Sequence, residues 1–172
     1  MNEILECIKT RRSVKKYKSE MPKRADIEAI VEAGIYAASG RNMQAPIIIA
    51  VTDKKLRDEL MRANAEVLGT SSDPFYNAPV VLVVLAKKDV RTYVYDGSLA
   101  MGNMMLAAHS LGLGACWIHR AREVFSEPKW QSWLSELGFD GEYEGIGNLI
   151  VGYPDGDLPE AKPRLEHRTA FV

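Results

Sequence analysis

Two hydrophobic periods alternate along this chain, and between them they lay out its elements. Over residues 2–10, Ile4, Leu5 and Ile8 fall on one side of a short helix. Pro22, suited to a first helical turn, opens a longer helix in which Ile27, Ile30, Val31, Gly34, Ile35 and Ala38 keep helical spacing until Ser39-Gly40 ends it. A loop over 39–46 leads into the apolar run 47–51, whose isoleucines and valine predict a buried strand. Asp53 is placed to cap a third helix that turns Leu56, Leu60, Ala63 and Val67 inward. Residues 69–77, rich in Ser, Asp and Pro, read as a loop before a second buried strand at 80–85.

The next segment departs from amphipathic patterning. A helix over 93–111 is apolar almost all round between Leu99 and Ala108. It is therefore expected to be covered on most sides, as the central helix of a domain, in a subunit interface, or both. Gly112 and Gly114 turn the chain into a third strand at 115–119. Ser126 is placed to cap a helix in which Trp130, Trp133, Leu134 and Leu137 share a packing face before Gly138. A fourth strand is expected over 144–153, followed by a tail, 154–172, with three prolines and no period. Helices alternate with strands, which predicts an α+β sandwich with helices around a central sheet.

The length and apolar content suit one domain spanning 1–172. A formal net charge of -1 argues against the broad basic face that nucleic acids require. Cys7 and Cys116 stand far apart without metal or redox spacing, so both are expected to pack inside a reduced, intracellular protein. Glu3 and Glu6, with no long apolar run beside them, argue against a signal peptide. The longest apolar run, 78–86, falls well short of the roughly 20 residues that span a bilayer. A cytoplasmic location is the expectation.

Familiar catalytic patterns are missing. The runs Gly112-Leu113-Gly114 and Gly145-Ile146-Gly147 both lack the third glycine of a dinucleotide fingerprint, and no phosphate loop ending Gly-Lys-Ser or Gly-Lys-Thr occurs. His109, His119 and His167 are scattered, so no metal site is expected. There is no Gly-x-Ser-x-Gly elbow for a hydrolase, and no residue is assigned a catalytic role.

Charge is concentrated in one place. Six of the ten residues from Lys9 to Lys18 are basic and none is acidic, with a weaker cluster at Lys162, Arg164 and Arg168. In an extended chain Arg11, Ser13 and Lys15 would share one side, with Arg12, Val14 and Lys16 on the other and Val14 packing inward. Paired arginines beside a hydroxyl donor suit a phosphate monoester. Lys9, Lys16 and Lys18 are expected to face water.

Four motifs in order, Arg11-Arg12-Ser13-Val14-Lys15-Lys16-Tyr17, Ala37-Ala38-Ser39-Gly40-Arg41-Asn42-Met43-Gln44, Leu111-Gly112-Leu113-Gly114-Ala115-Cys116-Trp117-Ile118, and Gly152-Tyr153-Pro154 with Lys162-Pro163-Arg164, resemble the FMN-dependent nitroreductase family. The resemblance implies a mostly antiparallel sheet flanked by helices, in two interlocked copies with FMN at their interface. It implies that Arg11, Arg12, Ser13, Lys15, Lys162 and Arg164 of one chain bind FMN, with Ala38, Ser39, Asn42 and Gln44 reaching it from the other. Trp117, Ile118, His119 and Arg120 would run along the ring, and the apolar helix would be the central dimer helix.

By the same resemblance the reaction is ping-pong. NADH or NADPH delivers hydride to flavin N5, and a nitroaromatic, quinone or similar small molecule then takes it. Phe75, Tyr76, Tyr93, Tyr95 and Trp117 are candidates for a substrate wall. A flavin-binding module without turnover, and a reductase or dehalogenase for a dedicated metabolite, are the alternatives. Two positions depart from the family pattern: Gln44-Ala45-Pro46 stands for Gln-Pro-Trp, and His119-Arg120 stands where many members carry an acidic residue and a glycine.

Overall fold

A computed structural model describes residues 2–172. Its sheet contains β1 (Pro46–Val51), β2 (Val80–Lys87), β3 (Gly114–Ile118) and β4 (Tyr143–Gly152), in the spatial order β1-β2-β4-β3 with each neighbouring pair antiparallel. The helices are α1 (Glu3–Thr10), α2 (Arg24–Ile35), α3 (Lys54–Leu68), α4 (Tyr93–Ser110), α5 (Ala121–Phe125) and α6 (Pro128–Glu136).

The sheet divides the core in two. Val81, Val83 and Leu85 of β2 point with Cys116, Ile118 and Ile150 toward Leu60, Val124, Phe125, Trp130 and Leu134 of α3, α5 and α6. Val80, Leu82 and Val84 point the other way, with Leu149 and Val151, onto Ile27 and Ile30 of α2 and Met101 and Met104 of α4. Because β2 is covered on both faces, its sequence is an unbroken apolar run instead of an alternating one. Each fully buried valine or leucine of this kind contributes roughly 1.5–3 kcal/mol.

The basic stretch completes the open edge of the sheet. Val14 N–H donates to the Ala115 carbonyl at 3.1 Å and Lys18 N–H to Tyr153 O at 3.0 Å. Ser13 and Tyr17 thus bridge to Ala115 and Pro154. The buried Tyr17 hydroxyl donates to Val14 O at 2.7 Å, and burial holds its pKa far above the ordinary range. Backbone groups of β3 that would otherwise face solvent are paired in this way. Gly114 makes room for it: a Cβ there would lie 2.8 Å from Val14 Cβ.

Local signals held at several places and failed at others. Asp53 caps α3 as expected, accepting from Leu56 N–H at 2.8 Å. Helix α2 runs from Arg24, with Lys23 at its cap position, and closes at Ile35, with Tyr36 N–H donating to Glu32 O and Ala37 N–H to Gly34 O. It therefore stops before Ser39, leaving Ile35 and Ala38 exposed. Ser126 caps no helix start. It ends α5, a helix too short to leave a period, and its hydroxyl donates to Glu123 O, while α6 starts at Pro128. Val67 and Leu137, expected inward, are exposed near helix ends where the core no longer reaches.

Gly145 lies where β4 meets α5, and a Cβ there would run into the carbonyl and backbone of Ala121. Backbone cannot rotate aside as a side chain can. Gly145→Ala is expected to cost about 1–3 kcal/mol of stability, read as a lower Tm by circular dichroism. An unchanged Tm would mean that α5 lifts freely off the sheet.

Candidate functional site

The first cluster gathers at the C-terminal end of α4. Cys7 Sγ donates to Leu106 O at 3.5 Å, and Thr10 Oγ1 lies 2.9 Å from His109 Nε2, so the end of α1 is fixed to the end of α4. Directly after it, Arg12 Nη1 donates to the carbonyls of Lys9 (2.8 Å) and Arg11 (2.6 Å), capping α1. Arg12 is therefore folded back onto α1 and not splayed away from Arg11 by strand alternation. Arg11 Nη1 and Arg12 Nε are both buried and have no hydrogen-bond partner within the chain. Leaving a buried donor unmet costs roughly 1–3 kcal/mol, more for a charged group, so two side by side need an acceptor.

Ser13 and Lys15 are exposed beside these arginines, and Lys15 Nζ lies 5.6 Å from the centre of the Tyr76 ring. Beneath them, burial pushes the Cys116 thiol pKa up despite a Ser13 hydrogen bond and the charges of Lys15 and Arg11, so Cys116 is a protonated packing residue. Lys16, Lys18 and Lys9 are exposed, and Lys16 Nζ pairs with Asp155 at 3.0 Å. Lys162 and Arg164 sit in the exposed tail, where neither makes a hydrogen bond or ion pair within the described chain.

A second cluster forms at the opposite end of α4. Gly40 N–H donates to Asp96 Oδ1 at 3.0 Å, and Thr92 Oγ1 donates to Asp96 Oδ2 at 2.9 Å. Within the loop, Gln44 N–H donates to Ser39 Oγ at 3.1 Å and Gln44 Nε2 to Asn42 Oδ1 at 3.3 Å. Ala38, Asn42 and Gln44 are exposed and Ser39 is half-buried. A cleft of about 310 Å³ opens beside them, lined in part by Ile35, Ser39, Gln44, Ile48 and Asp96.

The third group follows β3. Ile118 is buried against the core, Trp117 is half-buried with an unpartnered Nε1, and His119 is exposed with its ring 6.0 Å from that of Trp117. Arg120 takes a left-handed conformation, φ 75°. The fully buried Asn64 of α3 holds this turn, donating to His119 O and accepting from Arg120 Nε, both at 2.9 Å. Of the wall candidates, Phe75 is fully buried and belongs to the core, and the Tyr93 hydroxyl is bonded to Glu144; burial, together with that bond, raises its pKa. Tyr76 and Tyr95 are exposed.

Asn64 and Asp96 are not among the residues the sequence singles out, although each is a polar residue on the buried face of a helix. A cleft of about 460 Å³ between Lys88, Arg122, Glu142 and Glu144 is a weaker candidate, because its charges satisfy one another at 3.3 and 3.4 Å. Among the described residues no group of three His, Cys, Asp or Glu could hold a metal, and no helix is long and apolar enough to cross a membrane.

Asp96 and His109 mark the two ends of α4, thirteen residues and about 20 Å apart. The molecule thus has a cationic edge at one end of a central helix and a polar loop at the other, on an α+β frame. This chain belongs to the nitroreductase family, whose model matches residues 8–153. It is 34% identical to an Archaeoglobus fulgidus protein provisionally named NADH dehydrogenase/NAD(P)H nitroreductase, across 96% of this chain and 94% of that one. It superposes on the crystal structure of a Bacteroides fragilis nitroreductase with bound FMN at a TM-score of 0.90, with 29% identity and both chains covered in full. An iodotyrosine deiodinase of Thermotoga neapolitana is 25% identical, over 96% of each chain.

Burial, with Arg11 and Arg12 nearby, lowers the His109 pKa below its ordinary value of 6.5. The unfolded chain then binds this proton more readily than the folded one, so the histidine's contribution to stability is complete above pH 6.5 and diminishes below it. In an NMR titration His109 is expected to have a midpoint below 6.5, moved upward by Arg12→Ala. A midpoint indifferent to that substitution would show that the ring does not sense the guanidinium.

Proposed function

We propose that this chain is a homodimeric FMN-dependent oxidoreductase that carries hydride from NADH or NADPH to a small acceptor such as a nitroaromatic or a quinone. The observation that carries the reading is the pair of buried guanidinium nitrogens without partners, Arg11 Nη1 and Arg12 Nε, in the two residues that precede the exposed Ser13. Two cations and a hydroxyl donor match a phosphate monoester, and FMN bears one. When bound, FMN supplies the redox chemistry, taking hydride at N5 and handing it on.

Each group of residues has its own task. Arg11, Arg12 and Ser13 hold the phosphate, and Lys162 and Arg164 add positive charge from the tail. Lys15 offers a cation that favours the negative charge gained by the ring on reduction. Trp117, His119 and the backbone at Ile118 border the ring. Ala38, Ser39, Asn42 and Gln44 approach from a second copy and orient the ring by hydrogen bonds.

A second copy is supported by what α4 leaves uncovered. Ile4, Leu5 and Ile8 of α1, Ile35 and Tyr36 at the end of α2, and Tyr95 and Leu99 of α4 are all exposed. This many exposed large apolar side chains on α1, α2 and α4 support an interaction face. Twofold packing with the two α4 helices antiparallel sets the loop of one copy beside the arginines of the other. The unit is read as one domain, 1–172, and its free thiols, Cys7 and Cys116, suit the reducing cytoplasm.

The purified protein should be yellow, and NADPH added without oxygen should bleach the bound flavin until a nitroaromatic or quinone restores it. Arg12→Ala and Arg164→Ala should each weaken FMN retention at least about tenfold, against little change for Lys18→Ala. A colourless protein that also ignores added FMN would overturn the reading. The likeness to a deiodinase favours a second acceptor class, halogenated phenols, which release of halide in the same anaerobic assay would reveal.

A further inference from the structure

We propose that Asp96 is a positioning residue of the flavin site, whose carboxylate latches the loop 39–44 in the shape that reaches the cofactor bound by a second copy. The inference rests on the reading just given. Asp96 is only 3% exposed, yet it has no cationic partner among the described residues. A buried carboxylate is retained where donors meet it. Its two oxygens are met by the Gly40 N–H and the Thr92 hydroxyl, and it lies in the first turn of α4, where the helix dipole favours negative charge.

The loop needs such a latch. Arg41, Asn42 and Gln44 have φ of 51°, 55° and 49°, left-handed values that residues with side chains keep only when their surroundings hold them. Gly40 lies flush against α4, since a Cβ there would collide with the Thr92 side chain. Asp96 thus fixes the start of the loop through its backbone, and the Gln44 N–H bond to Ser39 Oγ closes the rest. Asn42 and Gln44 are left pointing outward from a rigid base. Asp96 itself touches no cofactor in this arrangement.

A purely structural acid would lower stability without acting on the arginine half-site of another copy, so the test is complementation. As a homodimer, Asp96→Ala should weaken FMN binding about tenfold to a hundredfold, and Asp96→Asn no more than about threefold, since an amide can accept from Gly40 and donate to Thr92. Asp96→Ala and Arg12→Ala chains are then coexpressed with different affinity tags and purified through both. One site of the mixed dimer joins two intact halves and the other two altered halves. About half the FMN stoichiometry at near wild-type affinity is expected.

A mixed dimer with no tight site would overturn the proposal, as would an Asp96→Ala homodimer that binds FMN normally while Arg12→Ala does not. Failure of the unaltered protein to bind FMN would instead overturn the flavin reading, and this inference with it. Should Asp96→Ala not fold, Thr92→Val removes one arm of the latch. A weaker loss of FMN affinity in the same direction supports the proposal, and no loss overturns it.

Discussion

Helix α4 is the constraint on which the rest of the molecule depends. Its 18 residues make a rod about 27 Å long with almost no polar stripe, so every side of it must find cover. The sheet covers one side through Met101, Met104 and Ala108, and α2 covers another by approaching at Gly34, where a Cβ would lie 2.8 Å from Met104. Tyr95 and Leu99 remain in solvent. The rod also spaces the cationic edge from the polar loop, so a ligand needing both must draw on two copies. In the proposed dimer one contact would both bury the helix and assemble the site.

Unfavourable local structure is found at both ends of that rod. At one end sit the unpartnered nitrogens of Arg11 and Arg12, at the other the left-handed residues Arg41, Asn42 and Gln44. Each carries a cost of about 1–3 kcal/mol. Between them the centre of the sheet is closely buried, and β2 has no exposed residue before Lys87. Local costs kept at these two places, against a core of close apolar packing, are the pattern expected of a ligand site.

How much of this is legible in the sequence varies with the kind of signal. Periodic segments read well: Ile27, Ile30 and Gly34 do face inward from α2, and the unbroken run at 80–85 is a strand buried on both faces. The stretch from Arg11 to Tyr17 is read as extended, and Ser13 and Tyr17 do bridge to Ala115 and Pro154. Its side-chain directions are not legible, because Arg12 turns back to the carbonyls at the end of α1, a tertiary choice that no alternation rule contains. Phe75, an aromatic in a polar loop, suggests a wall, yet Arg57 and Asp73 draw that loop inward and bury it. Asn64 and Asp96 each depend on a partner in the loop after β3 or before β1, so their roles exist only once the fold does.

The two departures from the family pattern become intelligible through the same long-range contacts. Arg120 stands where a glycine is common, in a left-handed turn that glycine enters most easily. Asn64 grips both its side chain and the preceding carbonyl, so the turn keeps its course without glycine. Pro46 displaces the tryptophan of Gln-Pro-Trp and lands on the first residue of β1, an edge strand, where a missing N–H is least costly. Ala45 before it is buried, and its carbonyl accepts from Lys87 N–H at 3.2 Å. At these two turns the chain thus carries a buried alanine followed by Pro46, and an exposed imidazole beside a guanidinium tethered to Asn64.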